Sequence, residues 1–193
     1  MTHKRRKIII VVVGIWVFSV LIITLVYPYS FVSVHKSYTF TPDPVVVEQY
    51  VNDLEEFKSS YKKDLDELTR PSNDDVTMDR TQFLLPLFAQ DWLVSKQPVK
   101  MSVDDLETIL FEVKNARNSL LELMAKKDYT QEQRQYLVDS IDHLLSLEEE
   151  IDRIKNGGFV SRKTLNVQFV NLHGSFLSNF MIFKIFYDTV QIG

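Results

Sequence analysis

The chain has no cysteine, which removes disulfides, a thiol nucleophile, thiolate metal sites and cysteine-linked lipid from consideration. Glycine is scarce, five residues in 193, and none of the five sits in a phosphate-cradling loop or a Gly-x-Ser-x-Gly elbow. No Asn-x-Ser/Thr sequon occurs, so N-glycosylation has no acceptor. Beyond residue 35 there are 18 basic against 26 acidic residues, a net charge of −8, and this excess of negative charge argues against nucleic acid as a partner.

Metal and acid–base chemistry are equally poorly provided for. The histidines are His3, His35, His143 and His173. Only Asp139 and His143 stand one helical turn apart, a spacing that more commonly gives a surface hydrogen bond than a metal site. The carboxylate runs Asp74-Asp75, Asp104-Asp105 and Glu148-Glu149-Glu150 place adjacent side chains in different directions on a helix, so they read as caps and solvated faces. No catalytic residue, cofactor site or metal site is therefore expected, and the chain reads as a non-enzyme.

What the sequence does have is a run of twenty uncharged, strongly apolar residues, 8–27, directly after Lys4-Arg5-Arg6-Lys7. At about 1.5 Å per residue this run covers roughly 30 Å, the hydrocarbon thickness of a bilayer. The basic cluster predicts a cytoplasmic N-terminus and an external C-terminal part. The apolar stretch exceeds that of a secretory signal and lacks a small-x-small cleavage site, so it reads as an uncleaved signal anchor. Tyr27 and Tyr29 suit the headgroup level and Pro28 ends the helix. Gly14 has no small residue four positions away, which leaves no packing motif inside the membrane. The expected organisation is a basic stub at 1–7 that is too short for a signalling domain, a span at 8–27, a tether at 28–42 whose alternation from Phe31 to Phe40 fits a short strand or an extended linker, and one external domain at 43–193. Without cysteines or sequons on the oxidising side of a membrane, a bacterial envelope is favoured over a eukaryotic secretory route.

The external part reads as all-α, a bundle of four to five helices. Asp43 and Pro44 form a helix start, followed by an apolar stripe at Val47, Tyr50, Leu54, Phe57, Tyr61, Leu65 and Leu68. Residues 83–94 are apolar on most sides and suggest a buried helix kinked at Pro86. Ser102 caps a helix reaching about Lys127, with Met101 and Leu106 as a hydrophobic staple. Thr130-Gln131-Glu132-Gln133 is a capping box opening the next helix, which Gly157-Gly158 ends. The short connection between these two helices predicts an antiparallel hairpin. Residues 161–193 fit a helix through Leu165, Phe169, Leu172, Phe176, Phe180, Phe183 and Tyr187. A β-hairpin turning at Gly174 is the alternative, because local stretches alternate and are rich in β-formers.

Two segments carry more large apolar residues than one helix face requires; core packing is the plain account of the phenylalanines in the last segment, and the functional expectation is a contact surface built from Phe83, Phe88 and Trp92 or from Phe176, Phe180 and Phe183. Arg117, close to an apolar stripe, is expected at its edge with a buried stem and without a buried ion partner. The function these features support is a membrane-anchored binding or structural component of an envelope assembly, in contact with another envelope or membrane protein. A regulator of a neighbouring membrane protein and, more remotely, a tethered hydrolase with carboxylates assembled across helices are the rivals.

Overall fold

The computed structural model describes residues 3–67 and 76–192. Helix α1, His3–Val26, contains the apolar run, and its stretch Lys7–Val26 is long and apolar enough to cross a membrane. None of that stretch is buried against the rest of the chain, which separates it from a core helix. Its one serine, Ser19, donates to the Ile15 carbonyl at 2.9 Å and so needs no outside partner for its hydroxyl.

The stretch expected as a tether, 28–42, is packed into the domain. Pro28, Tyr29 and Ser30 are buried, and the Tyr29 hydroxyl donates to the Met101 carbonyl at 2.9 Å. Two turns, closed by Ser30 N–H to the Tyr27 carbonyl and Ser33 N–H to the Ser30 carbonyl, lead into strand β1, Ser37–Phe40. It pairs antiparallel with β2, Val99–Ser102, in the register Ser37 to Ser102 and Phe40 to Val99. An isolated two-stranded ribbon is marginal in water. Here alternation turns Tyr38 and Phe40 inward, where both stack on Phe169 at 5.4 and 5.7 Å. This ribbon amends the all-α expectation.

Helix α2, Pro44–Glu67, begins where Asp43 Oδ1 accepts from Val45 N–H at 2.8 Å. Its stripe from Val47 to Tyr61 is buried, but Leu65 is exposed, and Leu68 lies outside the described residues. Helix α3, Val76–Phe88, carries Pro86 in its last turn, and the four-residue α4, Asp91–Val94, follows. Helices α5, Val103–Lys126, and α6, Gln131–Lys155, form the antiparallel hairpin. Both start in capping boxes, Ser102 with Asp105 and Thr130 with Gln133. Leu110, Val113, Leu120, Leu137, Leu144 and Ile151 are buried between them and their neighbours.

Helix α7, Arg162–Ile192, is continuous through Gly174, so the hairpin alternative does not hold. Spacing by threes and fours puts Phe169, Phe176, Phe180, Phe183 and Phe186 all on the inner side, a fit that strand alternation would have destroyed. The helix packs along α6 on one flank, and rings fill the space toward α2. Phe180 meets Tyr50, Phe57 and Phe88, and Phe57 also meets Tyr187 at 5.2 Å.

Candidate interaction surface

Five of the six residues expected to form a contact surface are core side chains. Phe88, Trp92, Phe176, Phe180 and Phe183 are buried, each in edge or stacked contact with other rings. The correction has a simple cause. Aromatic rings that exceed the need of one helix face are consumed when the gap between helices is wide, and the space between α2 and α7 takes them up. Phe83 alone is open, 58% exposed, beside a groove of about 320 Å³ between α3 and α5 that Pro86, Leu87 and Ala116 also line. Glu112 also lines a second groove of about 460 Å³, bordered by Asp91, Lys100 and Asp105.

A further uncovered apolar stripe lies on the opposite side of α7 from its phenylalanines. Val167, Val170, Met181 and Ile185 are between 40% and 52% exposed. With Gly174 and Ser178, also exposed, they fall on one stripe of the helix. Next to its middle is a groove of about 260 Å³ where Val46 and Asp53 of α2 face Leu177, Ser178 and Met181. Gly174 stands in open space, since a Cβ placed there would meet nothing within 4 Å. A glycine inside a helix costs about 1 kcal/mol relative to alanine, and no contact within the monomer recovers that cost. This stripe was readable in principle as a second 3.6-residue period, but the inner aromatic period masks it in a helix that is apolar on most sides.

The charged and titratable groups near the core are engaged in structure. Arg117 lies at the edge of the stripe as expected, but its Nε is 2.6 Å from Glu148 Oε1 with the carboxylate largely covered, so the expectations that Arg117 has no buried ion partner and that Glu148 is solvated are corrected. The cause is that α5 and α6 face each other at this level. Glu150 accepts from Ser175 at 3.0 Å, and Asp139 accepts from Gln135 rather than pairing one turn on with His143. Buried His173 lies 3.2 Å from the Leu93 carbonyl and against the Trp92 and Phe40 rings. Burial holds its pKa below the ordinary histidine value, opposed in part by that carbonyl. Burial likewise raises the Tyr29 and Tyr50 pKa values, leaving both phenols as neutral donors. Among the described residues no group of three or more histidine, aspartate or glutamate side chains is arranged to hold a metal ion.

No protein-family model, curated protein or solved structure matches the chain.

Proposed function

We propose that the protein is a membrane-anchored component of a cell-envelope assembly that works by protein contact, with the outer face of α7 as its contact surface. The observation that carries this reading is the stripe Val167, Val170, Gly174, Ser178, Met181 and Ile185, apolar or small and uncovered along much of the helix. Burying four such side chains against a partner helix removes apolar surface from water at about 25 cal/mol per Å². The small residues at its centre would let a second backbone approach closely. The partner that fits is an extramembrane helix or groove of another anchored protein, because anchoring keeps both at a local concentration at which a modest interface suffices. In this reading α1 spans the membrane, the Lys4-Arg5-Arg6-Lys7 cluster is cytoplasmic and the domain is external.

Photo-crosslinking residues placed at Val170 and Met181 in intact cells should give a discrete adduct with another membrane protein, and the same residue at exposed Glu149 on α6 should not. Absence of an adduct at both α7 positions, or the same adduct at Glu149, overturns the surface. An adduct between two copies of this chain overturns the choice of partner. Alkaline phosphatase fused after Gly193 should be active in bacteria; activity of a cytoplasmic reporter instead reverses the orientation.

A further inference from the structure

The last turn of α1 and Tyr27 just after it are held to the domain at three points. The Thr24 hydroxyl oxygen accepts the Val34 N–H at 3.2 Å. Arg162, the first residue of α7, donates through Nε to the Leu25 carbonyl. The Tyr27 ring meets Phe159 edge-on at 5.8 Å, and Phe159 in turn meets Phe31 at 5.4 Å. Around this foot, Phe31, Val34 and Phe159 are between 59% and 74% exposed, an uncovered apolar cluster at the base of an otherwise acidic domain.

The apolar stretch Lys7–Val26 is about 30 Å long as a helix, which matches the hydrocarbon thickness and leaves no length to hold the domain clear of the bilayer. Groups bonded to Thr24 and Leu25, or in ring contact with Tyr27, share the depth of that last turn. We infer that the foot of the domain, the 157–160 turn with Phe159 and the 31–34 turns with Phe31 and Val34, is a lipid-contacting surface seated in the headgroup layer. This rests on the reading of α1 as a membrane span.

The chemistry of the foot suits that layer. Aromatic rings favour the interface, and Lys36, Arg162 and Lys163 lie beside them, exposed and able to meet lipid phosphates. Asp104 stands across a groove from Lys36 and Lys100, so positive charge is concentrated on the Arg162 side. The turn that presents Phe159 is fixed. Val160 N–H bonds to the Gly157 carbonyl at 2.8 Å, and a Cβ on Gly157 would meet Val160 Cγ2 at 2.7 Å and the Arg153 carbonyl at 3.0 Å. Glycine allows this close approach without displacing either group, and the tight turn keeps the ring at its tip.

The absence of native cysteine makes the test direct. Single-cysteine variants of the full chain, Phe159→Cys, Phe31→Cys, Trp16→Cys and Asp128→Cys, are nitroxide-labelled and reconstituted in phosphatidylethanolamine–phosphatidylglycerol vesicles. Asp128 lies in the turn before α6, and the length of α6, about 37 Å, separates it from the foot. Collision rates are measured with oxygen, which enters lipid, and with a water-soluble nickel chelate. The oxygen-to-nickel ratio should be highest at Trp16, lowest at Asp128 and intermediate at both Phe159 and Phe31. Ratios at Phe159 and Phe31 equal to that at Asp128, with Trp16 still high, overturn the lipid-contacting foot and leave the span intact. A ratio at Trp16 as low as that at Asp128 overturns the span, and the foot with it. Labels at Phe159 and Phe31 shielded from both reagents overturn the inference in favour of a protein cover.

Discussion

Replacing Gly174 with alanine tests the reasoning that links α7 to a partner. Gly174 lies mid-helix and exposed, and the added Cβ meets no atom within 4 Å. No steric cost therefore opposes the gain in helix propensity, and Gly174→Ala should stabilise the folded domain by about 0.5–1 kcal/mol. For a domain of this size that is a rise in Tm of about 1–4 °C, read by circular dichroism of the full chain in detergent, where α1 contributes a constant helical background. Gly174→Leu should also leave the monomer folded, since its side chain projects into the same open space. Its bulk, however, stands where a second backbone would approach, and it should weaken the cellular adduct formed through Val170 and Met181. A lower Tm for Gly174→Ala would show that the fold itself needs glycine here. An undiminished adduct with Gly174→Leu would remove close approach from the argument.

Leu144→Ala, at a site with no exposure, should destabilise the domain by about 2–5 kcal/mol in denaturant titration, whereas Glu149→Ala on the solvated side of α6 should stay within about 0.5 kcal/mol. Glu148→Ala leaves the Arg117 guanidinium without its carboxylate and should cost about 1–3 kcal/mol, below the fully buried range because Arg117 keeps 27% of its side chain exposed. Adding Arg117→Leu should recover part of that loss, and strict additivity of the two changes would show that the pair is not coupled. His173 takes up a proton less readily in the folded chain than in the unfolded one, where its value is the ordinary 6.5. Its contribution to stability is full above that value and declines as pH falls below it toward the depressed folded value; His173→Gln should flatten this component of the pH–stability curve measured between neutral and mildly acid pH.

Local signals in the sequence located most of the helices, because those signals are strong and self-contained. The Asp43–Pro44 start and the two capping boxes are satisfied by bonds within four residues, so they need no tertiary context. The stripes of α5 and α6 are single and clean, and they marked the buried residues directly. What could not be read depends on distant partners. Strand β2 is four residues long, and it is a strand only because β1 lies beside it some sixty residues away in the chain. The burial of Glu148 depends on α5 presenting Arg117 to α6 at that level. The burial of Phe176, Phe180 and Phe183 is illegible for a related reason. Counting apolar side chains showed that α7 has more than one face can hold, but not which of its two apolar faces the rings would occupy.

The two faces have different work because of where α7 begins. Its first residue is bonded to the end of α1, so with α1 spanning the membrane, as proposed, α7 rises from the level of the bilayer surface. On its axis Val167 follows Arg162 by about 7 Å and Ile185 by about 35 Å. Bulky rings on the inner face hold α2 and α3 to this post along its length. On that proposal the outer stripe presents small and apolar side chains from just above the headgroups to most of the height of the domain. A peripheral loop or a small ligand could cover only part of it. The partner proposed for it would extend from the membrane by a comparable length, as a helix continuing out of another protein's span would do.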